Sequence, residues 1–220
     1  MKKVCALLLF VAVNAAAGMS YNLKSSAGTS GRVVADGAKV RLEMENGAVM
    51  LTADGGKTLT FLDPTKKTYT TMSAADLVGM DIKVSNTKTT TRDLGDGGTL
   101  EGYPTHRWAV ETSFDVTMDT FTVHLSMLSE SWRTDRLPEA AASIFASQSV
   151  RTGIPDVDKI LESMASSTVK GFPLKEVTTL RSKSASGKES STTSTIEVSD
   201  IKRVDTTKAT FAIPAGYKKQ

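Results

Sequence analysis

Between residues 106 and 118 the chain alternates two kinds of side chain. His106, Trp108, Val110, Thr112, Phe114, Val116 and Met118 share one phase, while Arg107, Glu111, Ser113, Asp115, Thr117 and Asp119 share the other. A period of two marks a half-buried β-strand, and no α-helix keeps such a stripe on one side. At roughly 3.3 Å per residue the run extends ~40 Å. After a turn near Asp119-Thr120 the phase flips, and Phe121, Val123, Leu125 and Met127 make the next apolar face. Two long one-sided strands in succession call for an extended, curved sheet with one wet side. If they pair as a hairpin, His106 and His124, the chain's 2 histidines, point to opposite faces and cannot share a metal or a proton.

The rest of the chain is also mostly strand. In "KVRLEMENG" Val40, Leu42 and Met44 alternate with Lys39, Arg41, Glu43 and Glu45. Asn46-Gly47 is a strong hairpin signal, followed by turns at Asp54-Gly55-Gly56 and Asp63-Pro64. Turns at that spacing predict an antiparallel meander. "KGFPLKEVTTLRSKSASGKESSTTSTIEVSDIKRV" predicts a hairpin about Ala185-Ser186-Gly187-Lys188 with a Ser/Thr/Lys-rich tip. "EGYP" and "KGFP" share one device. Gly102 and Gly171 supply turn conformations, Pro104 and Pro173 suit strand starts, and Tyr103 and Phe172 fold onto the core beside them.

Helical spacing is confined to a few places. Leu137, Ala140, Ala141, Ile144 and Phe145 follow i, i+3, i+4, i+7, with Pro138 in the first turn. Ile154, Val157, Ile160, Leu161 and Met164 form a second stripe. Two helices over 137–149 and 154–166 are expected, hinged near Gly153, with a short helical turn over 73–78. The residues thus predict a β-rich α+β unit with a helical pair inserted, and no boundary divides it.

The N-terminus reads as an export leader: Lys2 and Lys3, an apolar run from Val4 to Val13, then Ala15-Ala16-Ala17. The run is well short of the roughly 20 residues that span a bilayer. Cleavage after Ala17 is expected, which leaves one domain over 18–220, no membrane span, and a periplasmic or secreted location. Cys5, the chain's 1 cysteine, goes with the leader, and a thiol-free chain suits an oxidising compartment. Lys+Arg total 27 against 24 Asp+Glu, and the loss of Lys2 and Lys3 leaves near balance. With no basic cluster interleaved with aromatics, nucleic acid is not an expected partner.

Catalytic constellations are missing. "GTSG" lacks the spacing of a nucleophile elbow, and Leu51 stands where a phosphate loop ending in "GKT" needs its leading glycine. Asp156 and Asp158 suit a helix first turn better than a metal site. No catalytic residue, metal site or cofactor is expected. The surplus is apolar: Met44, Met50, Met72, Met80, Met118, Met127 and Met164 lie on predicted inward faces, with Trp108 and Trp132. They either fill an ordinary core or line an apolar cleft, and periodicity does not separate the two.

"LDPTKKTYTTM", "EGYPTHRWAVE", "ESWRTDRLP", "KGFPLKEVTTL" and the terminal "FAIPAGYK" resemble, in order and spacing, a bacterial family of exported proteins of unknown function. That family is grouped with the outer-membrane lipoprotein carriers and their lipid-binding relatives. The resemblance covers most of the chain after the leader. It implies a strongly curved antiparallel half-barrel with helices across its concave side. A carrier of this kind would bind a lipid, an acyl chain or a lipidated protein. The expected lining is Met44, Leu62, Trp108, Val110, Phe121, Val123, Ile144, Phe145, Ile160 and Met164, with the helical pair as a lid. A 14-carbon chain buried at about 0.8 kcal/mol per methylene gains ~11 kcal/mol before association costs. The alternative is a non-enzymatic cell-envelope structural or protein-interaction module without a ligand cavity, using the hairpin at 182–195 as its surface.

Overall fold

Turn chemistry and strand alternation together produce one antiparallel ribbon. The computed structural model describes residues 17–28, 30–55, 58–73, 82–118, 121–142, 169–184 and 186–220. Its strands are β1 (Ala17–Ser25), β2 (Gly31–Asp36), β3 (Lys39–Met44), β4 (Val49–Thr52), β5 (Thr58–Asp63), β6 (Thr68–Ser73), β7 (Ile82–Leu100), β8 (Tyr103–Met118), β9 (Phe121–Thr134), β10 (Phe172–Ser184), β11 (Glu189–Asp205) and β12 (Lys218–Lys219). They form a single 12-stranded sheet in the order β12-β6-β5-β4-β3-β2-β1-β11-β10-β9-β8-β7. β1 to β6 meander to one edge. The chain resumes at the other edge with β7 and meanders back, so that β11 pairs with β1 in the middle. The short β12 runs parallel to β6 and extends that edge.

The predicted turns sit where expected: Asn46-Gly47 joins β3 to β4, Asp54-Gly55 leaves β4, Asp63-Pro64 leaves β5, and between β10 and β11 the Gly187 N–H donates to the Ser184 carbonyl at 2.9 Å. Gly102 and Gly171 have φ of 79° and 97°, the left-handed region that glycine alone occupies cheaply. Tyr103 and Phe172 follow them as the first residues of β8 and β10.

Register carries one face across the whole sheet. Leu42 lies opposite Val33, Val33 opposite Tyr21, and Leu23 opposite Val198. Ile196 continues to Glu176, Ser131 and Trp108. We call this the core face. On it Met19, Tyr21, Leu23, Val33, Val40, Leu42, Phe172, Leu174 and Val198 form the main core. The Tyr21 ring meets Phe172 edge-on, centroids 5.4 Å apart and planes at 82°. A smaller cluster, Val49, Leu51 and Leu62, lies on the outer face with Tyr69 and Tyr217. There the terminal segment folds back, and Phe211 is buried.

The α+β half-barrel with two helices across its concave face is overturned. Strands take 72% of the described residues, and the helical ones lie in two short 3-10 turns, Glu139–Ala142 and Lys208–Phe211. The Leu137-to-Phe145 spacing misleads for a physical reason. Its small member Ala141 enters the main core with Ala142, which lies off the stripe, as one tight turn, and the Tyr21 hydroxyl donates to the Ala141 carbonyl at 3.0 Å. A side chain-to-backbone bond anchors this segment in place of a helical face. The expected helical residues from 143 on, the second expected helix over 154–166, most of the expected turn over 73–78, and the expected leader up to residue 16 lie outside the described residues. Among the described residues no helix is long and apolar enough to cross a membrane.

Candidate functional site

Three zones follow one another along the core face of β8, β9 and β10. The first is the main core, closed under Ala141 and Ala142. The second is a polar band. Arg133 donates from Nε to Ser131 Oγ at 3.1 Å and from Nη1 to the Gly171 carbonyl at 3.0 Å. Glu176 Oε1 accepts from Ser129 Oγ at 2.8 Å and from Thr178 Oγ1 at 3.3 Å. Desolvation lowers the Arg133 pKa, opposed by the charges of Glu176 and Glu139. The band places a charged pair beside apolar surface, and hydrogen bonds satisfy it there.

The third zone is apolar again but open. Register lines up Val84, Val116 and Val123, then Phe114 with Leu125, then Thr112, Met127 and Leu180. Phe114, Val116, Val123, Leu125 and Met127 are half-buried, while Phe121 and Leu180 are 49% and 43% exposed. Thr112 is fully buried, so the open part of the zone runs over Phe114, Val116, Phe121, Val123, Leu125 and Leu180.

The expected lining residues divide. Trp108, Val110, Phe121 and Val123 share the core face, as the alternation predicts, and Val123 and Phe121 belong to the open zone. Met44 packs against the main core, far from that zone. Leu62 points to the outer face and is 2% exposed, inside the smaller cluster. Ile144, Phe145, Ile160 and Met164 lie outside the described residues. Leu180, Val84 and Met127 complete the zone. The Thr178, Leu180 alternation in "VTTLRSKS" was the available signal for the first of these.

The histidines are indeed on opposite faces. His106 Nε2 lies 2.5 Å from Asp93 Oδ1 on the core face, its ring 5.0 Å from that of Trp108. His124 Nδ1 lies 2.6 Å from Asp115 Oδ1 on the outer face, where Asn86 Nδ2 donates to Asp115 Oδ2 at 2.6 Å. Hydrogen bonds hold both carboxylates below the ordinary range, from the Gly95 N–H and His106 for Asp93 and from Asn86 and His124 for Asp115. Each pair is exposed, and among the described residues no group of three His, Cys, Asp or Glu side chains is placed to hold a metal ion. Across the outer face Trp132 lies between Arg107, 4.8 Å from the ring centroid, and Lys175 at 5.7 Å. These cations are matched by Glu130 and Glu197 at 3.0 and 2.9 Å. That row ties four strands together, and within it Arg107 Nε is buried without a hydrogen-bond partner among the described residues.

The chain belongs to a family described as a domain of unknown function, DUF4412, whose model matches residues 10–217. No curated protein matches the chain.

Proposed function

We propose that this DUF4412 chain is an exported, non-catalytic binder or carrier of an apolar ligand, a lipid, an acyl chain or a lipidated protein, held on the open zone of β8 to β10. The carrying observation is that the apolar phase of these strands continues past the closed core, and Leu180 and Phe121 stay 43% and 49% exposed there. Each methylene of a bound chain that such surface covers is worth about 0.8 kcal/mol before association costs. The kinship with lipoprotein carriers belongs to this proposal. So does the periplasmic or secreted location, which rests on the leader. The exposed His–Asp pairs lie outside the open zone, so no catalytic step is assigned to them.

The test is uptake of a fluorescent long-chain fatty acid by delipidated protein. Saturable binding that Leu180→Asp abolishes supports the reading. No uptake, or uptake indifferent to that substitution, refutes it. The envelope-interaction alternative draws on β7, a 19-residue strand at a sheet edge. Its register is broken at three places, between Ser85 and Lys88, Asp93 and Gly95, and Asp96 and Gly98, which blunts it as a pairing template.

A further inference from the structure

At the far end of the core face, where β8 and β1 begin, a recess of about 340 Å³ opens beside the main core. Met19, Tyr103, Leu137 and Ile201 give it apolar walls, and Arg136 and Arg203 stand at its rim. Tyr103, Leu137 and Ile201 also pack on the main core, so these walls are fixed by the fold. Tyr103 in the recess and Thr112 at the near end of the open apolar zone are nine positions apart on β8, about 30 Å along the strand. One small ligand does not reach both.

The charges here are one-sided. Among the described residues no aspartate or glutamate lines the recess. Arg203 lies opposite Met19 in register and so projects on the core face. It makes no ion pair among the described residues. Among the described residues Arg136 pairs with its neighbour Asp135 alone, at 3.4 Å with side chains 68% and 87% exposed, and so open a pair competes weakly with a ligand. Lys202 is engaged by Asp200 at 2.7 Å. Two available guanidinium groups on separate elements therefore face an apolar pocket. Guanidinium presents a planar fork of donors that matches carboxylate and phosphate oxygens. The volume falls near the lower end of small-molecule sites, which span roughly 300 to 1,000 Å³.

We propose that this recess is a second site, independent of the open apolar zone, that binds a small anionic amphiphile: a carboxylate or phosphate head on Arg136 and Arg203, with a short hydrocarbon tail against Met19, Tyr103, Leu137 and Ile201. The probes are decanoate, decyl phosphate and decanol, titrated calorimetrically below their micellar range into the full exported chain. In the wild type, at least one anion binds about tenfold or more tighter than decanol. Whichever anion is favoured identifies the head group. The Arg136→Gln/Arg203→Gln variant loses that preference and keeps the decanol affinity, whereas Arg136→Lys/Arg203→Lys retains part of it. Both arginines are exposed, and unchanged circular dichroism verifies folding. Leu180→Asp, which removes long-chain uptake at the other site, leaves the preference intact, so the two readings fail separately. Equal affinity for anions and decanol, no binding of any probe, or a preference that survives the double glutamine substitution overturns the proposal.

Discussion

Leu174 and Leu180 stand on the same strand and the same face, yet one is 2% and the other 43% exposed. Truncating each to alanine separates closed core from open surface. At Leu174 the substitution removes buried carbons and leaves a cavity, a combination that costs about 2–5 kcal/mol. At Leu180 roughly half of the side chain already meets water and solvent fills the space, so the loss stays below ~1 kcal/mol. With a urea slope of about 2–3 kcal/mol/M, Leu174→Ala lowers the unfolding midpoint by ~1 M or more and Leu180→Ala by less than ~0.4 M. Trp108 and Trp132, the chain's 2 tryptophans, supply the fluorescence. A second arm adds a long-chain fatty acid. At one hundred times its dissociation constant, binding to the folded state adds about 2.7 kcal/mol. The wild-type midpoint therefore rises by ~1 M, and that of Leu180→Asp stays still. An equal loss for Leu174→Ala and Leu180→Ala would refute the reasoning, because the open zone would then be ordinary core.

Four further outcomes follow from named contacts. Tyr21→Phe deprives the buried Ala141 carbonyl of its 3.0 Å donor and lowers stability by about 1–2 kcal/mol in urea unfolding. Gly171→Ala costs more than Gly102→Ala. Both positions have positive φ, but a Cβ at Gly171 also sits 2.8 Å from the Thr134 carbonyl oxygen, while nothing lies within 4 Å at Gly102. Asp115 has its pKa lowered by Asn86 and His124, so its contribution is complete above the ordinary value of 3.8 and is lost as pH falls through the lower folded value. The stability gap between wild type and Asp115→Asn should therefore close below pH 3.8 in acid-range urea titrations. Intact mass of the exported protein is expected to show cleavage after Ala17.

The legible parts of the fold were those in which local chemistry and long-range structure agree. β8 and β9 alternate cleanly because one face meets core or open apolar zone and the other meets water, so phase alone places Trp108, Val110, Val123 and both histidines. Asn46-Gly47 and Asp63-Pro64 announce their hairpins because few other conformations suit those pairs. β7, the longest strand at 19 residues, carried no comparable signal. Threonines fill its middle, and irregularities at Asn86, Gly95 and Gly98, all with positive φ, interrupt the period of two. β1 does alternate, through Met19, Tyr21 and Leu23, but that pattern begins directly behind the apolar run of residues 4–13, which dominates the start of the sequence. The apparent helix from Leu137 fails because alanines satisfy a helical stripe and a core-filling turn equally well.

The candidate site divides along the same line, and the division explains why its two ends differ in legibility. The open zone is a property of strands, so Phe114, Leu125 and Met127 could be placed on its face from sequence. Leu62 shows where this stops. "TLTFLD" is apolar on both phases because the terminal segment, some 150 residues later in sequence, returns to cover the outer face with Phe211 and Tyr217. No local pattern reports that return. The recess lies at the other extreme. Its walls come from β1, β8, β11 and the segment after β9, and Arg136 and Arg203 read in sequence as two unremarkable surface cations. They acquire a common function only through the pairing of β11 with β1, the one junction of the two meanders. Disrupting that junction should therefore abolish anion preference while sparing the β8–β9 hairpin, which is paired continuously from His106 opposite Arg133 to Met118 opposite Phe121.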